Sequence, residues 1–267
     1  MSERANAFCK EIKKYTDLIS PTALERIDST NSYAKELCGK GAKEGDCVFA
    51  LNQSGGRGRM GRSFFSYDGG IYMSLILKPE LSADGALSIT TAAAVAVSEA
   101  IERLFGKDTK IKWVNDIYIG DKKVCGILTE GAIGEGGKLS YAILGIGINL
   151  GRPEKFPEEI SAIAASILDC SDNLELKAKL VAQIMNIFFE IYKNIDSKDY
   201  MERYRERSYL TGKTVEYIKD GIPHTALVSG IDDNAGLKII ENGKEITLTA
   251  GEVSVRKQSS QNKFTKK

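Results

Sequence analysis

The sequence predicts an α+β chain, with a mixed sheet flanked by helices over residues 1–209 and a small all-β domain over residues 210–257. Two observations carry this. Long stretches with helical spacing, Leu87–Phe105 and Leu176–Ile195, stand among strand-like segments in the first region. After Thr211-Gly212 only short strands remain, separated by turn dipeptides. A length of 267 residues accommodates one large and one small domain.

In chain order, Arg4–Ile19 reads as a helix followed by Pro21. Ser29-Thr30-Asn31 supplies capping residues for a short helix that ends at Gly39 and Gly41. Cys47–Leu51 suits a buried strand, Asn52–Gly70 a loop, and Ile71–Leu77 an alternating strand. Leu87–Phe105 is an Ala-rich helix with Gly106 at its stop. Ile111–Ile119, Lys123–Ala132 and Leu139–Asn149 read as strands, turning at Gly120-Asp121 and at Gly134–Gly137. Leu176, Leu180, Ile184, Ile187, Phe188, Ile191 and Ile195 form the core face of an amphipathic helix. Past a boundary near Tyr209, strands are expected at 215–218, 226–231, 237–240, 246–248 and 253–255. Turns at Asp220-Gly221, Asp233-Asn234 and Asn242-Gly243 separate them. Closely spaced short strands of this kind suggest a β-barrel of about fifty residues. The tail, 258–267, is expected to be disordered.

Composition narrows the chemistry. Lys and Arg total 37 against 36 Asp and Glu, so no global field points to nucleic acid. The N-terminus has no uninterrupted apolar core for a signal peptide, and no long apolar run suggests a membrane span. Five scattered cysteines without a CxxC pair read as buried thiols in a reducing cytoplasm. The single histidine, His224, makes a histidine-rich metal site untenable and reads as an exposed or half-buried strand residue.

Two segments carry chemistry. Gln53-Ser54-Gly55-Gly56-Arg57-Gly58-Arg59-Met60-Gly61-Arg62 combines glycines, whose backbone N–H groups can approach a ligand, with arginines suited to phosphate and carboxylate. It lacks the Gly-Lys-Ser/Thr ending of a Walker loop and the βαβ setting of a dinucleotide fingerprint. By itself it fits an anion-binding loop, a basic surface loop or an RGG-like RNA-binding segment. The second, Lys112-Trp113-Val114-Asn115-Asp116 running into Lys123-Val124-Cys125-Gly126-Ile127-Leu128-Thr129-Glu130, reads as an amphipathic hairpin turning at Gly120. By position alone Lys123 is a solvated turn lysine like Lys122.

Taken together, Ser29-Thr30-Asn31, the basic glycine loop, Lys112–Asp116, Lys123–Glu130 and Gly145-Ile146-Gly147-Ile148-Asn149 occur in the order they take in biotin protein ligases. The chain resembles that family from about Ile27 to Arg256. Val114 departs from the proline many relatives carry. The resemblance is to the short type without an N-terminal winged helix, which implies no specific DNA binding.

It implies a catalytic domain of the class II aminoacyl-tRNA synthetase/biotin ligase kind and an SH3-like C-terminal barrel. The implied activity joins the biotin carboxylate to the α-phosphate of ATP, with Mg²⁺. It then passes biotin to a lysine of a biotin carboxyl carrier protein domain. Bringing two anions together needs preorganised positive charge. By resemblance Lys123 and Arg59 are catalytic. Ser29, Thr30, Asn31, Gln53, Arg57, Gly58, Arg59, Trp113, Lys123 and Gly126 bind biotin. Arg57, Arg59, Arg62, Asn115, Asp116 and Asn149 face the nucleotide phosphates. A metal ligand set is not assigned. Ser29 and Thr30 also suit helix capping. A cytoplasmic location, no membrane association and a possible homodimer complete the expectation. Three rivals stand beside it: a ligase for lipoate or another acyl acid, a biotin-responsive transcription regulator, and a catalytically silent biotin-binding protein.

Overall fold

Ser2 opens helix α1 (Glu3–Ile12) by accepting the Ala5 N–H, and the helix stops at Ile12 instead of the predicted Ile19. Beyond the stop, Thr16 ends the last helical turn, its N–H still bonded to the Ile12 carbonyl. Its Oγ1 accepts the Leu18 N–H at 3.2 Å, a local bond that competes with helix. The released segment becomes β1 (Ser20–Ile27), a strand the sequence pattern did not predict. The computed structural model describes residues 2–82, 85–169, 173–219, 221–249, 251 and 253–255. Cys170, Asp220 and the tail 258–267 lie outside the described residues.

α2 (Thr30–Gly39), β2 (Asp46–Gln53) and β3 (Ile71–Leu77) follow, and then α3 (Gly85–Phe105). The strands β4 (Lys110–Lys112), β5 (Asp116–Ile119), β6 (Lys122–Ile133) and β7 (Leu139–Ile148) complete a seven-stranded sheet. Its order is β1-β2-β3-β7-β6-β5-β4, with β1 and β2 parallel and every other pair antiparallel. The single strand expected at Ile111–Ile119 is broken. Lys112 pairs with Asp116, so Trp113–Asn115 is a tight turn. Asn115 holds it there by donating its side-chain amide to the Ile127 carbonyl at 2.6 Å and accepting the Ile127 N–H at its own carbonyl.

Alternation along β2 separates two faces. Val48 packs with Ala34 of α2, while Phe49 meets Phe8 of α1 edge-to-face at 5.4 Å. Helix α5 (Leu174–Tyr192) packs on α1 and α3, and α3 packs on β6. Thr90 of α3 donates to Thr129 of β6, whereas the neighbouring Glu130 reaches Asn31 of α2 on the opposite face. By length and composition alone α3 could cross a membrane, but most of it is buried in the protein, as in a core helix. The short α4 (Glu158–Ser161) and α6 (Tyr200–Glu206) complete this unit, which ends at Tyr209.

The second unit begins at Leu210. β8 (Thr214–Lys219), β9 (Ile222–Ile231), β10 (Leu237–Glu241), β11 (Lys244–Leu248) and β12 (Val253–Val255) form an antiparallel sheet of order β11-β10-β9-β8-β12. Among the described residues its two edge strands do not pair with each other. Val215, Tyr217, Ala226, Val228, Leu237 and Ile239 form its core. His224 is a half-buried strand residue, stacked on Tyr217 and 2.8 Å from Glu241 through Nδ1.

Candidate active site

Sheet register assembles the candidate site on the face that carries α2. Tyr72, Gly147, Gly126, Asp116 and Lys112 are successive partners across β3, β7, β6, β5 and β4. Ser74, Gly145 and Leu128 form the next row. Two glycines one residue apart on β7 therefore clear a floor. At Gly147 a Cβ would lie 2.7 Å from the Phe64 ring, and at Gly145 it would strike the Asn31 amide. The loop between β2 and β3 roofs this floor and lays Phe64 on Gly147 and Gly126.

At one end stands a neutral polar network. The Gln53 side-chain oxygen accepts from the Thr30 N–H at 2.8 Å and from its hydroxyl at 3.2 Å. Ser74 Oγ lies 2.8 Å from Thr30 Oγ1 and 2.6 Å from Asn31 Oδ1. Asn31 Nδ2 donates to Glu130 at 2.8 Å, and the other oxygen of Glu130 holds Arg57 at 2.8 Å. Ser29, Thr30 and Asn31 are all buried. Ser29 occupies the N-cap position without a side-chain capping bond, so capping is not what its hydroxyl does here.

Charge gathers at the other end. Lys123 Nζ is 2.7 Å from Asp116 Oδ1 and 5.9 Å from the centre of the Phe64 ring. Gly126 lets the lysine lie flat, since a Cβ there would be 3.0 Å from Nζ. Arg59 donates to Asn115 Oδ1 at 3.2 Å, tying the basic loop to the Trp113–Asn115 turn.

The loop folds on itself through Gly58 N–H to the Arg62 carbonyl and Phe64 N–H to the Gly56 carbonyl. Its far end is pinned. The buried Lys177 donates to the Asp68 carbonyl at 2.6 Å, and the Tyr72 hydroxyl bonds both backbone groups of Tyr67. Burial pushes the Tyr67 phenol up to about 12, against the lowering effect of its bond to Ser166.

The structure thus brings Ser29, Thr30, Asn31, Gln53 and Arg57 around one small cavity, together with Phe64, Met73, Leu128 and the Gly145–Gly147 strand. Arg59, Asn115, Asp116, Lys123 and Gly126 cluster beyond Phe64. Four expected residues stand apart from both groups, the first being Gly58, which is turned into its own loop by its bond to the Arg62 carbonyl. Trp113 is buried in its turn and does not line it. Arg62 is exposed on the loop. Asn149 sits at the end of β7, its backbone bonded to Val124 and Ile167. Sequence reasoning gave no role to Ser74, Glu130 or Phe64. Ser74 carried a signal, as the lone serine in an otherwise apolar buried strand.

A family model described as "Biotin/lipoate A/B protein ligase family" matches residues 23–149. The chain is similar to the bifunctional ligase/repressor BirA of Bacillus subtilis, 40% identical over 170 residues, covering 63% of this chain and 52% of that protein. It thus spans about half the length of that relative. It is also similar to the biotin--[acetyl-CoA-carboxylase] ligase of Mycobacterium tuberculosis, 27% identical over 246 residues, 86% of this chain and 88% of that one. Among solved structures it resembles the biotin protein ligase from Aquifex aeolicus in complex with biotin and ATP. That match has a TM-score of 0.74 and 27% identity, covering 89% of this chain and 98% of the other.

Proposed function

We propose that the chain, whose residues 23–149 match the model of the Biotin/lipoate A/B protein ligase family, is an ATP-dependent biotin protein ligase. It forms biotinyl-5′-AMP and passes biotin to a lysine of a biotin carboxyl carrier protein domain. The observation that carries this reading is the polarity of the site: a neutral hydrogen-bonding ring at one end of a glycine-cleared floor, and Lys123, Arg59 and Asp116 at the other.

Biotin has the same polarity. Its bicyclic urea needs a few placed donors and acceptors within apolar walls, which Ser29, Thr30, Asn31 and Gln53 supply beside Met73 and Leu128. Its carboxylate needs a cation. Lys123 meets that carboxylate and the α-phosphate, and Arg57 and Arg59 cover them. One carboxylate oxygen attacks the α-phosphorus, and pyrophosphate departs. The acceptor amine then attacks the carbonyl of the mixed anhydride, AMP leaves, and Asp116 stands ready beside Lys123 to receive the amine's proton. Arg62 and Asn149 complete the phosphate side, and Gly58 lends its backbone.

Mg²⁺ comes with the nucleotide and neutralises its phosphates. Among the described residues no group of three or more His, Cys, Asp or Glu side chains could cage it. Asp116, paired with Lys123, is the carboxylate nearest the proposed phosphate side that would help hold the ion, which would neutralise phosphate charge there.

The proposal extends to organisation. Residues 1–209 are the catalytic domain, and 210–257 form an SH3-like domain. The protein works in the cytoplasm.

Biotin-dependent exchange of labelled pyrophosphate into ATP, without any acceptor, tests the first step. Exchange that requires biotin supports the reading. Exchange with lipoate alone favours the sister activity of the family. None with either acid, from folded protein, overturns the reading.

A further inference from the structure

The Trp113–Asn115 turn carries both the loop's landing point, Asn115, and the partner of Lys123, Asp116. Beyond Asn115's own bonds to β6, a buried side chain from nearly a hundred residues later grips it. Tyr204 of α6 is fully buried, and its hydroxyl donates to the Val114 carbonyl at 3.0 Å. A carbonyl in so enclosed a place needs a partner, because leaving it unmade forfeits its hydration without return.

The helix that brings Tyr204 is itself held by charge. Arg203 reaches the buried Glu99 at 2.8 Å, and Arg207 forks onto Glu102 through two nitrogens at 3.2 and 2.8 Å. The chain leaving α6 bonds both backbone groups of Ile111 on β4, just before the turn. A seven-residue, strongly charged helix is a poor autonomous element, yet ion pairs and backbone bonds fix it against the strand beside the site.

We propose that Tyr204 is a positioning residue. Through the Val114 carbonyl it sets the turn that presents Asn115 to Arg59 and Asp116 to Lys123. Its catalytic arm rests on the ligase reading, because only that reading gives the turn a nucleotide to face. Among the described residues, the hydrogen bonds of the polar end run among α2, β2, β3 and β6. Loss of the phenol therefore disturbs ATP more than biotin.

Trp113 allows a test without catalysis, as it is the only tryptophan and lies in the turn. Tyr204→Phe keeps the ring and removes the bond. Tyr200→Phe, which removes a phenol on the same helix that bonds Thr91 and Ser88, controls for general loosening of α6. Tyr204→Phe should red-shift Trp113 emission and increase its quenching by acrylamide, and Tyr200→Phe should do neither. In the exchange assay the KM for ATP should rise on the order of tenfold in Tyr204→Phe, the worth of one buried hydrogen bond. The KM for biotin should change far less. A Tyr204→Phe chain with parental emission and KM values overturns the proposal. So does an equal response to both variants, or an equal rise in both KM values. If the parent lacks biotin-dependent exchange, the ligase reading fails while the tryptophan signal still decides whether Tyr204 sets the turn. Hydrogen exchange of the unaltered full chain needs no variant: amides of 113–116 and of α6 should open together, and independent opening refutes the coupling.

Discussion

Replacing Lys123 by alanine should separate catalysis from stability. The lysine's pair with Asp116 leaves the two side chains 31% and 23% exposed, so it contributes about 0.5–1 kcal/mol to folding. Its ammonium over the Phe64 ring adds about 0.5 kcal/mol. The sum, near 1 kcal/mol, lowers Tm by roughly 2–4 °C in a chain of this size. Its proposed role is far larger, because a fixed cation at the reacting oxygens is a preorganised donor whose removal typically costs about 10²–10³ in rate. The expected result is a nearly unshifted melting curve with exchange of pyrophosphate down by that factor. Lys122→Ala, one residue away and tied to the Ser161 carbonyl at 3.2 Å, should keep parental exchange. Exchange in Lys123→Ala within about threefold of the parent would refute the reasoning, being far below the loss of a preorganised charge. A Tm fall beyond about 8 °C would also refute it, since the loss would then be one of folding.

Three further outcomes follow from the same geometry. Arg59→Gly removes the tie to Asn115 at 3.2 Å, a charge-assisted bond of about 1.5–3 kcal/mol. It should leave adenylate formation active while release of the intermediate quickens by about tenfold or more, read by trapping free biotinyl-adenylate. Gly147→Ala places a methyl 2.7–3.1 Å from three Phe64 ring carbons. Crowding of this kind costs about 1–3 kcal/mol, measurable by urea unfolding, and biotin binding should weaken with it. Acid should loosen α6: burial pushes the Glu102 carboxyl up, but its hydrogen bonds from Arg207 and Thr109 outweigh that and hold it below the usual carboxylate range. A depressed folded value contributes stability above the unfolded pKa and loses it as pH falls through the folded one. Stability should therefore decline from about pH 5 downward, and Glu102→Gln should flatten that slope.

Where the sequence carried a strong period, the structure followed it. Leu174–Tyr192 and Gly85–Phe105 are helices within a few residues of the pattern, since whole faces of each are buried. β1 left no such mark. Only Ala23 is buried along Ser20–Ile27, because an edge strand pairs on one side and its proline takes the place of a ladder donor. α6 was equally silent, a single charged segment whose stability comes from Glu99 and Glu102 on α3. Local sequence cannot express such a partnership. In the site, the arginine loop was legible as basic and glycine-rich, while Lys112–Asp116 read by itself as an ordinary hairpin and gained a role only through the family resemblance. Ser74 and Glu130 acquire meaning only from cross-strand register.

Phe64 imposes an order of events on binding. Its ring lies over Gly147 and Gly126 beside the polar end, where little space stays open. On the ligase reading the ring stands where the bicyclic urea would seat, and the loop would have to open first. Observed affinity is then the intrinsic value scaled by the fraction of time the ring is withdrawn. Association saturates at the opening rate however much ligand is supplied, and the same ring, once returned over a seated ligand, slows its departure. Residence time and arrival rate are therefore coupled through a single side chain.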